Sequence, residues 1–307
     1  MKKFAKALGL IACAAAFCVC ALAACSSSNG SATSSPTSSV EADTTLTVEL
    51  QVSADSAFAR ALLEIEQLYS ETHEGVSFAE PQFSQTEQSP SKGVVASTVS
   101  KADGDSAHAD IVIAGSKAKM NALEQEGAIQ ASTRFDLARN RLVIVAASDN
   151  DSVTVCTLSD IVNGLHFVAL GDADVASGAS AREALSTAGG YAFQNGGSAS
   201  DPSSEAGSYS GALAEPGVVT ESPTTSAVCE NVRKGVCDVA LVYATDVYRY
   251  GSLKIVGAVD ASAYAAVDYP VAVSQDSEHM DEAEAFLSWC ATSADAREIL
   301  QKWGFTL

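Results

Sequence analysis

The chain has 307 residues, which is enough for two domains of ordinary size, each with its own hydrophobic core. Hydrophobic residues make up 47% of the chain and charged residues 18%, values typical of a globular protein and not of a disordered one. Thirty-eight acidic residues against 18 basic ones leave a formal net charge of −20, which repels nucleic acid and anionic lipid. That charge does not exclude a small anion, because distant charges are screened beyond ~8 Å.

The first 25 residues have the pattern of a bacterial lipoprotein signal. Residues 1–6 carry three lysines, residues 7–21 are apolar, and Leu22-Ala23-Ala24-Cys25 reads as a lipobox. A transmembrane helix would need ~20 apolar residues, and this run is shorter and ends in small residues. We therefore expect residues 1–24 to be removed and Cys25 to carry a lipid that anchors the protein on the extracytoplasmic face of the cell membrane.

Residues 25–43 are predicted to form a Ser-rich tether. The stretch SSSNGSATSSPTSSVEAD after Cys25 has no hydrophobic period and cannot bury enough surface to order itself. As a flexible chain of these 18 residues it would reach ~25 Å, which suits a domain that works close to a membrane partner.

The cysteines and histidines do not indicate a metal site or a disulfide scaffold. Beyond Cys25 the folded part keeps Cys156, Cys229, Cys237 and Cys290. Buried free thiols are one interpretation, and a bridge between Cys229 and Cys237 is the alternative that an exported protein permits. The four histidines have no ligand spacing, so we expect no zinc.

From residue 46 onward, short apolar strands alternate with amphipathic helices, which predicts an α/β fold with parallel sheets. Strands are predicted at 46–50, 76–79, 110–114, 141–146, 167–170, 239–243, 253–257 and 271–274. Helices are predicted at 54–72, 117–126, 177–187, 226–234, 280–291 and 295–303. The strand RLVIVA (141–146) is apolar on both faces, as in the middle of a parallel sheet. The Gly/Ser-rich stretch 195–217 is predicted to be a mobile surface insertion.

No enzyme motif is present. The sequence lacks G-x-S-x-G, a P-loop, G-x-G-x-x-G after a strand, and H-E-x-x-H. We therefore expect a binding protein without catalytic residues or a cofactor.

Three junctions between a strand and a helix carry small polar residues, and open α/β sheets bind ligands at such junctions. Ser53 follows the first strand and is predicted to cap the first helix. Residues 171–178 and 224–226 make two further turns of this kind. Free N–H groups and dipoles at such helix starts suit an oxyanion, although serines at these points are more often simple caps.

Several fragments, in order, resemble the molybdate-binding proteins of ABC transporters. They are LTVELQVSADSAF (46–58), ADIVIAG (109–115), MNALEQEGAI (120–129), TRFDLARNRLVIV (133–145), DVALVYATDV (238–247) and DYPVAV (268–273). The resemblance implies a two-lobe periplasmic-binding-protein type II fold with a hinge and a ligand cleft between the lobes. Lobe I would be residues 44–143 plus 268–307, and lobe II residues 144–267.

The same resemblance implies a set of ligand-binding residues. They are Ser53 from the first junction, Ser91 from an altered serine loop, Ser177 from a loop whose proline is here Ala176, Thr225 through its backbone N–H, and Tyr243 through its hydroxyl. They would hold a dehydrated tetrahedral oxyanion, molybdate or tungstate, for an ABC permease, with the protein a monomer. The alternatives are a protein of the same fold for sulfate, phosphate or an organic anion, a surface enzyme, and an interaction lipoprotein.

The lipobox generates the first prediction. Substitution Cys25→Ser removes the thiol that would carry the lipid, so we expect the variant to be released from membranes or to stay unprocessed. Membrane fractionation and the mass of the mature protein measure this. Normal processing with unchanged membrane association would contradict the anchor.

Overall fold

The computed structural model describes residues 47–84, 109–194 and 207–307. The predicted signal and tether with Cys25, the serine Ser91, and residues 195–206 of the predicted insertion lie outside the described residues. In the part that is described, no helix is long and apolar enough to cross a membrane.

The described chain forms a series of strands and helices in α/β order. The strands are β1 Val48–Leu50, β2 Val52–Asp55, β3 Val76–Phe78, β4 Gln82–Ser84, β5 Ile111–Ile113, β6 Phe135–Asn140, β7 Leu142–Ala147, β8 Val168–Gly171, β9 Tyr191–Phe193, β10 Gly207–Tyr209, β11 Val219–Ser222, β12 Val239–Tyr243, β13 Leu253–Ala258 and β14 Val267–Val273. The helices are α1 Ala61–Thr72, α2 Lys117–Gln125, α3 Leu158–Val162, α4 Ala176–Thr187, α5 Thr225–Arg233, α6 Ala244–Tyr250, α7 Met280–Thr292 and α8 Ala294–Lys302.

Two five-stranded sheets organise two lobes. The sheet of lobe I has the order β4-β2-β5-β14-β6, and that of lobe II has the order β11-β8-β12-β7-β13. In lobe I the main core packs α1, α7 and α8 against the sheet, and a smaller core lies under α2. In lobe II two cores cover the two faces of the sheet. The predicted α/β fold with two lobes is confirmed.

The prediction that β7 lies in the middle of a parallel sheet is wrong. All six residues of β7 are buried, with alternate side chains in the two cores of lobe II, as the apolar run predicts. Its neighbours β12 and β13 nevertheless run antiparallel to it. Burial on both faces reflects layers on both sides of the sheet, and it does not fix the direction of the neighbouring strands.

The predicted start of the first helix is also wrong, and with it the capping role of Ser53. Ser53 lies within β2, which continues to Asp55. Asp55 then caps a 3-10 turn at Ser56–Phe58, its side chain accepting from the N–H of Ala57, and α1 begins only at Ala61. The β-strand pairing of Ser53 with both neighbouring strands outweighs its local preference for a cap.

The predicted insertion is ordered in the part that is described. β10 pairs antiparallel with β9, and Leu213 in the following 3-10 turn is only 2% exposed. One leucine in a Gly/Ser-rich stretch gives no periodic signal, so the sequence pattern missed this contact with the lobe II core.

All four cysteines of the described chain are buried free thiols. Of the two interpretations for Cys229 and Cys237, the structure therefore has the unbridged one. Burial raises the pKa of the Cys156 thiol to about 11, so it stays protonated and unreactive at neutral pH.

The chain crosses between the two lobes within one residue. β6 ends at Asn140 in the lobe I sheet, and β7 begins at Leu142 in the lobe II sheet. The N–H of Leu142 donates to the hydroxyl of Tyr264 (2.8 Å), which fixes the start of β7. The return crossing leads from β13 of lobe II to β14 of lobe I.

A buried carboxyl in α1 generates a prediction for stability. Glu66 is 5% exposed, and its Oε1 has no hydrogen-bond partner among the described residues. Burial raises its pKa to about 8. The folded state therefore binds a proton that the unfolded state releases near pH 4.5. As the pH rises from 4.5 to about 8, the free energy of unfolding should fall by up to ~1.4 kcal/mol per pH unit, and above that range it should level off.

We expect Glu66→Gln to remove most of this slope, because the amide keeps the shape without titrating. Urea unfolding between pH 5 and 9 measures it. Glu71→Gln, on the exposed side of the same helix, is the matched control and should keep the wild-type slope. Parallel curves for wild type and Glu66→Gln would contradict the raised pKa.

Candidate functional site

A small cavity lies between the lobes, next to the crossing. Its free volume is about 20 Å³, so in this conformation it admits a water-sized or small polyatomic species and no drug-sized molecule. It is lined from lobe I by Asp55, Ala57 and Tyr269, and from lobe II by Ala176, Ser177, Thr225, Tyr243, Thr245, Asp246 and Arg249.

Three helices of lobe II begin at this cavity. Ala176 and Ser177 open α4, Thr225 opens α5, and Thr245 lies in the first turn of α6. The first N–H groups of a helix have no partner within the helix, and they form the positive end of its dipole. The lobe II wall is therefore suited to bind negatively charged oxygen atoms.

Close backbone packing shapes the loop before α4. A Cβ atom on Gly178 would lie 2.3 Å from the carbonyl oxygen of Gly171, so only glycine fits there. The guanidinium of Arg182, 4% exposed, donates to the carbonyl oxygens of Gly171 (2.8 Å) and Gly178 (2.9 Å) and pairs with Glu221. These contacts hold the first turn of α4 against the cavity.

Ser177 has an unusual environment for a hydroxyl. It is 1% exposed, and its Oγ has no hydrogen-bond partner among the described residues. Burying a hydroxyl without a partner costs roughly 1–3 kcal/mol. Because Ser177 also lines the cavity, a bound ligand atom would supply the missing partner.

Tyr243 and Thr225 line the same cavity. The Tyr243 hydroxyl lies 2.9 Å from the carbonyl oxygen of Ala176 and 2.9 Å from Oγ of Ser180. A carbonyl only accepts, so Tyr243 donates to Ala176, and Ser180 donates to Tyr243. Burial raises the pKa of Tyr243, which keeps the phenol neutral. Thr225 presents one of the first N–H groups of α5, after the cap residue Thr224.

Two of the predicted ligand residues, Ser53 and Ser91, are not among the described residues that line the cavity. Ser53 is 5% exposed within β2, and the cavity-lining residues at this end of the strand are Asp55 and Ala57. Ser91 lies outside the described residues. A ligand role for either serine stays a prediction.

Sequence reasoning missed the charged residues of the cavity. Asp55 is fully buried, Asp246 accepts from the N–H of Tyr243 (3.0 Å), and Arg249 donates from Nη1 to Oγ of Ser56 in lobe I (3.2 Å). Asp55 and Asp246 both lie in fragments that carry the resemblance, 46–58 and 238–247, but the resemblance assigned neither of them a role. Arg249 lies outside these fragments and meets the other lining residues only in the folded chain.

A family model for bacterial extracellular solute-binding proteins matches residues 50–306. The chain belongs to this family. It is an extracellular solute-binding protein for ABC transport, and the family is not enzymatic. No curated protein sequence matches the chain.

Solved structures with the same fold are distant in sequence. The substrate-binding domain named for a molybdenum ABC transporter of Clostridium difficile is 21% identical, with a TM-score of 0.66 over 84% of this chain and 98% of that one. The periplasmic molybdate-binding protein of Azotobacter vinelandii is 16% identical, with a TM-score of 0.58 over 84% and 99%. The sulfate-binding protein SubI of Mycobacterium tuberculosis is 16% identical, with a TM-score of 0.57 over 84% and 86%. At these identities the likeness shows the fold alone.

The unpartnered hydroxyl of Ser177 leads to a prediction about the stability of the ligand-free protein. Substitution Ser177→Ala removes a buried hydroxyl without a partner, so we expect it to raise the free energy of unfolding by about 1 kcal/mol. Ser180→Ala on the same helix is the matched control and should lower it by about 1 kcal/mol, because Ser180 loses its bond to Tyr243. Urea unfolding of Thr45–Leu307, which forms one compact unit, measures both. Equal destabilisation by the two substitutions would contradict the unpartnered state of Ser177.

Proposed function

We propose that this solute-binding protein captures a small tetrahedral oxyanion, molybdate or tungstate, in the cavity between its lobes and delivers it to an ABC importer. The observation that carries the proposal is the meeting of the starts of α4 and α5 with the unpartnered Ser177 hydroxyl at one small cavity between the lobes. Neutral N–H and O–H groups pair with the oxygen atoms of an anion in a site without bulk water.

The size of the cavity supports a compact anion over an organic one. About 20 Å³ of free volume is far below the several hundred Å³ of ordinary cofactor and drug sites. A rigid wall of backbone donors selects by radius, so the proposed discrimination of molybdate from the smaller sulfate rests on the distances that each ion can span.

Of the predicted contacts, Ser177 and the backbone N–H of Thr225 have the strongest structural support. We propose that Tyr243 acts mainly by holding Ala176 and the first turn of α4 at the cavity, because its hydroxyl donates there. The fragments quoted above support molybdate or tungstate as the ion, and two of the similar structures carry names that refer to molybdenum or molybdate.

A second candidate is an oxyanion that keeps a proton at neutral pH, such as hydrogen phosphate. Asp55 favours it, because this buried carboxyl lines the cavity and repels an ion that has only acceptor oxygens. An ion with its own O–H can donate to a carboxylate, which turns repulsion into a charge-assisted hydrogen bond.

The remaining parts of the proposal concern location. A lipid on Cys25 and the Ser-rich tether would keep the protein near the permease, on the extracytoplasmic face of the membrane. We propose that it works there as a monomer.

An oxyanion panel tests the ligand. We expect molybdate or tungstate to raise the melting temperature of Thr45–Leu307 by several degrees, because a thousandfold excess over Kd stabilises the folded state by ~4 kcal/mol. Sulfate at equal ionic strength should shift it much less. Differential scanning calorimetry measures the shift.

Variants on α4 show whether the cavity is the site. Ser177→Val fills it and should abolish the shift, whereas Ser186→Val, near the other end of the same helix, should keep it. A shift with phosphate and none with molybdate would establish the second candidate. No shift with any of these anions would refute oxyanion capture.

A further inference from the structure

The side-chain amide of Asn140 has a defined orientation at the crossing between the lobes. Asn140 is 6% exposed, and its Oδ1 accepts from the N–H of Arg141 at 3.0 Å. A backbone N–H can only donate, so this contact identifies the amide oxygen and leaves Nδ2 on the other side. Nδ2 lies 2.8 Å from Oγ1 of Thr245 and 3.0 Å from the hydroxyl of Tyr269.

These two contacts determine where the hydroxyl protons point. An amide N–H donates and cannot accept, so the hydroxyls of both Thr245 and Tyr269 must act as acceptors toward Asn140. The O–H proton of each is then left to donate elsewhere. Both side chains line the cavity, and neither proton has an acceptor among the described residues.

The third hydroxyl of this group is in a different state. Tyr243 donates to the carbonyl oxygen of Ala176, so its proton is directed at the backbone of lobe II. The two tyrosines that line the cavity are therefore not equivalent, and only Tyr269 has a proton to offer there.

Tyr269 and Thr245 are suited to remain donors. They are 2% and 3% exposed. Burial, followed by the charge of Asp55, raises the pKa of Tyr269 well above its usual value, so the phenol keeps its proton at neutral pH.

We propose that Tyr269 of lobe I and Thr245 of lobe II are ligand-binding residues that donate their O–H protons to the bound oxyanion, with Asn140 as the positioning residue that directs both protons into the cavity. The inference rests on the proposed capture of an oxyanion at this site. Because Tyr269 and Thr245 come from opposite lobes, a ligand that binds both holds the lobes closed at the crossing.

Single-atom changes test the two donors. Tyr269→Phe deletes the hydroxyl and keeps the ring, and Thr245→Val keeps the shape of the side chain. Each removes a charge-assisted hydrogen bond, so we expect each to raise the Kd for molybdate about 10-fold or more. Tyr264→Phe is the matched control. It removes the hydroxyl of a half-buried tyrosine, which accepts from Leu142 at the same crossing but does not line the cavity, so the Kd of this variant should match wild type.

Asn140→Asp tests the positioning role. The aspartate keeps the acceptor for Arg141 and replaces Nδ2 with an oxygen that attracts both hydroxyl protons away from the cavity. We expect at least as large a loss of affinity as in Tyr269→Phe. In the Tyr269→Phe background the same substitution should cost clearly less, since one of the two protons is already absent. A merely structural role of Asn140 would give equal costs in both backgrounds.

Isothermal titration of Thr45–Leu307 with molybdate, and with phosphate as second titrant, decides between the outcomes. Circular dichroism and the melting temperature establish that each variant is folded. Wild-type affinity in both Tyr269→Phe and Thr245→Val would overturn the inference and leave oxyanion capture standing. If the wild-type protein binds none of molybdate, tungstate, phosphate and sulfate, the proposed function fails, and the inference with it.

Discussion

The passage of the chain from one sheet to the other through the single residue Arg141 constrains the rest of the structure. β6 of lobe I ends at Asn140 and β7 of lobe II begins at Leu142, so only one residue separates the two sheets along the chain. Asn140 bonds to the crossing itself and to one residue of each lobe, Thr245 and Tyr269. The cavity is therefore built against the crossing, where a small rotation of the lobes changes the distances between its walls. A ligand that contacts both walls must favour one arrangement of the lobes.

Most of the charged side chains at the cavity make hydrogen bonds within the protein. Asp246 caps α6 through the N–H of Tyr243, and Arg249 connects lobe II to Ser56 of lobe I. Asp55 caps the turn after β2 through Ala57. These contacts leave hydroxyl and backbone N–H groups as the donors that would face the proposed ligand. That arrangement explains how a chain with a net charge of −20 can offer a site for an anion, because short-range dipoles act within the cavity while the surface charge is screened.

The sequence predicts local features of the fold well and long-range ones poorly. The run Val239–Tyr243 and the helix that stops before Gly127 follow from hydrophobic pattern and from the positive φ that glycine tolerates. The antiparallel neighbours of β7 and the strand position of Ser53 depend on pairing partners that no local pattern identifies. Of the residues that the resemblance predicted, Ser177, Thr225 and Tyr243 line the cavity, and the first two also lie at helix starts, which have a local signature in the sequence. Tyr269 and Thr245 are missed because only Asn140, 129 and 105 residues away from them, brings the two together.

The loop before α4 shows how distant parts of lobe II support the site. Arg182 holds the carbonyl oxygens of Gly171 and Gly178, and its other end pairs with Glu221 of β11. Glu221 in turn accepts from the hydroxyl of Tyr209 (2.5 Å), which lies in β10 within the stretch that the sequence predicts to be a mobile insertion. These contacts connect β10 to the first turn of α4, which contains Ser177. Arg182 is buried and Glu221 is exposed, so loss of Glu221 would leave the buried guanidinium without its charge partner. The rigidity that these contacts give allows Ser177 to keep a buried hydroxyl without a partner, at a cost in stability that the proposed ligand would recover.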